Sequence, residues 1–270
     1  MLIGHQDLIR DFKQLVKAGK LAQGYIFFGE PQVGKFYFAR HLAYLLETGE
    51  FELAVRPLQG AMILKNASGI DAMREIKNFL WQKPVDSAKR TVVINDADNL
   101  TPQAQNAILK IAEEPPEHAL VILIISQLEN LLPAILSRFQ KIYFGRLSDK
   151  EMGQVVSDKK IIAVSYGRPG KAMDLKNNPL MKEADEFAGL FLKSEGAARS
   201  RLIKELVKLQ GELTEQQKKE SELLDMFFEA VISELRIKPV DNFKKLKETL
   251  NRLFLIKSYN VNKRIQIEAI

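Results

Sequence analysis

Along the first half of the chain, short apolar runs alternate with stretches whose apolar residues recur every three or four positions. The runs lie at 25–28, 61–64, 91–95, 120–125 and 141–144. They are largely apolar and include several β-branched residues. This predicts strands buried on both faces, as in a mostly parallel sheet covered by helices. Between them, Ile70, Met73, Ile76, Phe79 and Leu80 fall near helical spacing and predict a helix ending at Trp81. Thr101-Pro102 supplies an N-cap and a proline at the first helical position. The helix that follows runs through Leu109 and stops at Glu114, because Pro115 disfavours helical backbone in the residue before it.

After residue 146 the strand pattern ceases. A few short helices are predicted over 149–172, around the turn Gly167-Arg168-Pro169-Gly170, and Asn177-Asn178-Pro179 reads as a linker. From Leu180 the pattern is helical to the end. Thr214-Glu215-Gln216-Gln217 has capping-box form. Leu224, Phe228, Val231 and Leu235 make one apolar stripe, and Phe243, Leu246, Leu250 and Leu253 another. The expected organisation is an α/β domain over 1–146, a small helical lid over 147–178 and an all-helical domain over 179–270.

A chain of 270 residues with 46% hydrophobic and 27% charged content holds enough apolar material for real cores, which excludes wholesale disorder. The net charge of +6 permits contact with nucleic acid without requiring it. There is no cysteine, so disulfides, thiolate nucleophiles and cysteine-held zinc or iron–sulfur sites are excluded. His5, His41 and His118 are too scattered to suggest a local zinc pattern. The longest apolar run, 119–125, is far short of the roughly 18 residues that span a bilayer. No basic-then-apolar leader opens the chain, and a cytoplasmic location without membrane contact is expected.

Gly29-Glu30-Pro31-Gln32-Val33-Gly34-Lys35 fits G-x-x-x-x-G-K, directly after a predicted strand and before a helix expected over 38–46. Glycines let backbone N–H groups cradle phosphates, the helix N-terminus favours negative charge, and the lysine reaches the terminal phosphates. The next residue should carry a hydroxyl for Mg²⁺, and here it is Phe36. Asp96 stands at the Walker B position after the third strand, but the glutamate that commonly follows it in ATPases is replaced by Ala97. Asp98, two positions on, faces elsewhere if the strand continues. Hydrolysis is therefore expected to be lost, with Lys35 and Asp96 paired in a scaffold loop and ATP or ADP binding left open. Phe36-Tyr37-Phe38 reads as packing that fills the space of a lost metal shell.

At this point the residues resemble a known family. Ile3-Gly4-His5-Gln6 is similar to its opening Gly-Gln segment. Residues 24–35 resemble its strand and phosphate loop, and residues 106–116, ending Glu113-Glu114-Pro115-Pro116, its N-A-L-L-K-x-L-E-E-P-P signature. Leu136-Ser137-Arg138-Phe139 resembles its Ser-Arg-Cys motif, and residues 260–268 its Asn-x-Asn…Leu-Glu ending. These are marks of the bacterial DNA polymerase III clamp-loader subunits of the AAA+ class, and of the delta-prime type most closely. The departures are informative. The four-cysteine zinc module of that family is absent, so no zinc is carried over. Phe139 replaces the motif cysteine, and Gly170 or a neighbour occupies the place of the lid arginine found in active ATPase relatives.

The resemblance implies an AAA+ P-loop domain, a lid and a helical collar. It further implies an accessory subunit that hydrolyses no ATP and needs no cofactor, working with gamma/tau ATPase and delta subunits to load the sliding clamp onto primer-template DNA. Arg138 would be an arginine finger offered in trans to a neighbour's ATP, a task that suits a rigid, permanently charged fork; the alternative is a surface arginine paired with a carboxylate. Ser126 falls near the sensor position, and an ordinary strand-terminal hydroxyl is the favoured reading there. Asn106 and Lys110, one helical turn apart, either track the DNA backbone or form the polar face of an amphipathic helix. Lys244, Lys245, Lys247, Arg252, Lys257, Lys263 and Arg264 read as a solvated face. Two alternatives remain: an active gamma/tau-type ATPase, and a stand-alone P-loop phosphotransferase.

Overall fold

A computed structural model describes residues 2–52, 57–65, 70–85, 87–178, 180–212, 223–236, 242–258 and 267. It contains two compact units rather than three. One comprises Met1–Val155 with Gly167–Gly170, the other Val156–Tyr166 with Lys171–Ile270. The stretch expected to form a separate lid is shared between them.

The first unit is built on five parallel strands: β1 (Gly24–Phe28), β2 (Ala61–Lys65), β3 (Arg90–Asn95), β4 (Ala119–Ile125) and β5 (Gln140–Tyr143). Their order is β2-β3-β4-β1-β5. Every residue of β4 is buried, as its unbroken apolar sequence requires at the sheet's centre, whereas the edge strand β5 is largely exposed. α1 (Gln6–Lys17) precedes β1; α2 (Lys35–Thr48), α3 (Ile70–Trp81), α4 (Pro102–Glu113) and α5 (Pro133–Arg138) lie between the strands, and α6 (Asp149–Val155) follows β5.

Strand alternation sends successive side chains to opposite faces, and each face has its own core. Ile26, Val92, Ile94, Val121 and Leu123 pack with Met73, Ile76 and Leu80 of α3, Ile108 and Ile111 of α4, and Ile135 of α5. Tyr25, Phe27, Val93, Leu120 and Ile122 meet Phe12 of α1 and Phe38 and Leu42 of α2. Phe38 is fully buried among Phe144 (ring centroids 5.2 Å apart), Phe12 (5.3 Å), Phe27 (5.6 Å) and Phe51 (5.9 Å). A ring so enclosed contributes about 1.5–3 kcal/mol. The expected Phe36-Tyr37-Phe38 cluster therefore divides: Phe38 enters the core, Phe36 is half-buried and Tyr37 is 57% exposed. One helical turn cannot point three consecutive side chains the same way.

The second unit holds α7 (Lys159–Ser165), most of α8 (Pro169–Asn177), α9 (Leu180–Lys193), α10 (Gly196–Glu212), α11 (Leu223–Arg236) and α12 (Phe243–Ser258). Asn178, in the expected linker, accepts the Leu180 N–H at 3.0 Å. The stripe Phe228, Val231 and Leu235 of α11 is buried, and Phe227 meets Phe191 of α9 edge-on at 5.4 Å. The stripe of α12 behaves otherwise. Among its described side chains Thr249 is the buried one, while Phe243 is 68% and Leu250 43% exposed. The capping box at Thr214, the side chains of Leu224 and Leu253 and, apart from Ile267, the motif at 260–268 lie outside the described residues.

Candidate nucleotide loop and arginine site

The phosphate loop leaves β1 at Gly29, whose φ of 136° is one that glycine tolerates and where a Cβ would collide with the Phe144 carbonyl oxygen. Gln32, at φ 65°, takes a left-handed conformation without that freedom. The loop ends at Gly34, and α2 begins at Lys35, three residues earlier than expected. Lys35 and Asp96 do not pair. The Lys35 ammonium donates to the Gly29 carbonyl and, at 2.8 Å, to that of Glu30, within the loop itself. Burial pushes its pKa down, against the opposing pull of Asp98, Asp96 and Glu30.

The rest of the chain grips the same loop from outside. The His5 ring Nε2 lies 2.9 Å from the Val33 carbonyl oxygen, and Gly170 donates its N–H to the Gln32 carbonyl at 3.0 Å. Arg146 holds Glu30 in a fork, with Nε 2.9 and 3.0 Å from the two carboxylate oxygens and Nη2 at 2.6 Å. That hydrogen-bonded guanidinium keeps the Glu30 pKa below its ordinary value. A Cβ at Gly170 would stand 2.9 Å from Gln32 Cβ and 3.2 Å from its Cα. An arginine side chain has no room to leave the backbone there. Phe36 offers no oxygen to a metal, and among the described residues no group of three His, Asp or Glu side chains could hold one.

At the end of β3 the chain departs from strand geometry. Asp96 is left-handed (φ 54°) and exposed, and accepts from Asn95 Nδ2 at 2.9 Å. A 3-10 turn then carries Asp98 round to accept from the Ser126 N–H at 2.7 Å and Asn130 Nδ2 at 2.8 Å. Strand alternation does not apply to Asp98, because the strand has already ended. Its carboxylate ties down the segment after β4 and with it the backbone of Ser126.

Gln105, which sequence reasoning passed over, is buried on α4. Its amide donates to the Asn130 carbonyl at 3.1 Å and the Leu100 carbonyl at 3.3 Å, and accepts the Leu132 N–H at 2.8 Å. Leu132 is the residue before α5. Position 105 lies in the buried stripe with Ala104, Ile108 and Ile111, and a glutamine inside an apolar stripe was the available signal. Asn106 and Lys110 occupy the opposite, exposed face of α4.

Arg138 is the last residue of α5, 39% exposed in its side chain. It donates from Nη1 to the Ala134 carbonyl at 3.2 Å and pairs through Nη2 with Glu113 at 3.3 Å. The next residue, Phe139, is buried against Gly24 at the start of β1. The phosphate loop follows Phe28, at that strand's other end. Arg138 and the loop thus stand on opposite edges of the sheet, a strand length apart, roughly 13–17 Å at about 3.3 Å per residue. The loop, Asp96 and Ser126 gather at the C-terminal edge. In the second unit, Lys244, Lys245 and Lys247 are exposed and Arg252 lies 3.6 Å from Glu248; the side chains of Lys257, Lys263 and Arg264 lie outside the described residues.

The family model described as DNA polymerase III, delta subunit, matches residues 59–148, from just before β2 to just after β5. DNA polymerase III subunit gamma/tau of Mycobacterium bovis is 30% identical over 215 aligned residues, covering 68% of this chain and 37% of that protein. Replication factor C subunit 3 of Schizosaccharomyces pombe is 27% identical, covering 57% of this chain and 44% of its own length. The chain thus spans less than half the length of these curated relatives. Among solved structures, a point mutant of RuvB from Thermotoga maritima is 14% identical with a TM-score of 0.50, covering 81% of this chain and 75% of that one. That likeness shows the fold alone, a parallel sheet covered by helices.

Proposed function

This chain belongs to the AAA+ clamp-loader family, and on that footing we propose that it is a non-hydrolysing, delta-prime-like subunit that lends Arg138 to the ATP site of a neighbouring subunit. The observation that carries the reading is the separation of Arg138 from the chain's own phosphate loop by the length of β1. A guanidinium at the wrong edge of the sheet cannot serve its own loop, yet it is exposed at the end of a short helix whose start Gln105 holds through the Leu132 N–H.

The loop supports the same reading by what it lacks. Phosphoryl transfer needs a metal held by a hydroxyl and a residue that orients the nucleophile. Phe36 and Ala97 stand in those two places, and Gly170 closes on Gln32 where a lid arginine would have to project. The outward Phe243 and Leu250 of α12 suit a helical collar built with other subunits. The partners in this reading are a gamma/tau ATPase and a delta subunit, acting together on a sliding clamp and primed DNA.

The gamma/tau name of the 30% identical relative favours a second reading, an active ATPase. Turnover by the purified chain decides between them. The proposal expects no magnesium-dependent release of phosphate above buffer. Steady turnover abolished by Lys35→Ala would establish the second reading.

A further inference from the structure

Resting on the finger reading, we infer that Glu113 is a positioning residue for Arg138, holding its guanidinium in place before the neighbour's triphosphate arrives. Glu113 closes α4, and the helix cannot run on past it because Pro115 and Pro116 follow. That stop is itself anchored across the sheet: Gln23 Nε2 donates to the Pro116 carbonyl at 3.1 Å and to that of Pro115 at 3.4 Å. The carboxylate therefore sits at a fixed point beside the end of α5.

From there it takes one face of the Arg138 fork, through Nη2 at 3.3 Å, while the Ala134 carbonyl takes Nη1 at 3.2 Å. Two acceptors from two helices define where the planar group lies and leave its remaining N–H donors for a phosphate. An unrestrained arginine must give up much rotamer freedom when it docks, and pre-ordering it removes part of that loss. Both side chains are substantially exposed, Arg138 at 39% and Glu113 at 53%. Exposed ion pairs add little to stability, so stability does not account for the pairing. The carboxylate and the incoming phosphate are both anions, and the guanidinium has donors enough to hold the first while meeting the second.

The test uses the chain assembled with a gamma/tau-type ATPase and a delta-type subunit, with clamp and primed DNA saturating. ATP turnover is compared for wild type, Glu113→Gln, Glu113→Asp and Arg138→Ala. Positioning predicts that Glu113→Gln lowers the kcat that depends on Arg138 by about three- to tenfold, with KM for ATP within about twofold and the thermal midpoint of the chain unchanged. Glu113→Asp should recover part of the loss. A second readout needs no partner: in the isolated chain, Glu113→Gln should abolish the hindered rotation of the Arg138 guanidinium seen by side-chain nitrogen NMR. If Arg138→Ala lowers turnover and Glu113→Gln leaves it unchanged or raises it, the positioning role is overturned and the finger stands. If Arg138→Ala has no effect in an intact assembly, the finger reading falls and takes the positioning role with it.

Discussion

A Cβ at Gly24 would lie 2.6 Å from the ring of Phe139, which follows Arg138 directly. The aromatic residue in the motif and the bare backbone at the start of β1 are therefore matched, and the match sets where α5 ends. Gly24→Ala should lose about 1–3 kcal/mol through overpacking, read as a lower urea midpoint with an unchanged m-value. Reducing Phe139 to leucine in the same chain should recover part of that loss. His41 carries a different prediction. It is 4% exposed, its Nδ1 lies 2.8 Å from the Tyr37 carbonyl oxygen, and its Nε2 has no hydrogen-bond partner among the described residues. Burial depresses its pKa, only partly opposed by that hydrogen bond. The unfolded chain thus binds a proton more readily than the folded one. Stability should be fully present above the unfolded value, near pH 6.5, and decline as pH falls through the lowered folded value. In denaturant titrations between pH 7.5 and 5, His41→Leu should reduce that acid decline; an identical slope in both proteins would show that His41 does not contribute.

At the level of elements, α4 carries the most information. Its apolar residues pack on the sheet, Gln105 fixes the start of α5, and Glu113 meets Arg138 at the other end. Gln105→Leu should cost on the order of 2–4 kcal/mol, because three backbone groups lose their partner at once. The Leu132 amide should also exchange with solvent faster than amides of β4; retained protection there would contradict the anchoring role. This helix shows where sequence reading reaches and where it ends. Its start at Thr101-Pro102 and its stop before Pro115 were legible, since caps and proline act locally. So were the five strands, because runs as apolar as that of β4 have few alternatives to a buried sheet. The roles of Gln105 and Asp98 were not legible. A polar residue on a helix reads as solvated until its neighbours are known, and the left-handed turn at Asp96 breaks the periodicity on which the reading of Asp98 depended. The hold of His5 and Gly170 on the loop was hidden for the same reason, since it joins positions far apart in sequence. The outward turn of the α12 stripe was equally hidden, because periodicity gives a face but not its direction.

At the scale of the whole molecule, the proposed function divides the two halves of a reaction between subunits. The chain keeps the form of a phosphate loop, turned inward on its own carbonyls, and presents its one motif arginine on the far edge of the sheet. An arginine finger raises phosphoryl-transfer rates by roughly 10³–10⁵ at the site it serves. Bulk turnover of a loader with several ATP sites falls less, because the other sites keep their own arginines. The most direct measurement adds the purified chain to a gamma/tau-type ATPase with a delta-type subunit, clamp and primed DNA, and follows ATP turnover with wild type and with Arg138→Ala. Equal assembly by size-exclusion and a clear drop in turnover with the variant are the expected result. Equal assembly with equal turnover would contradict it.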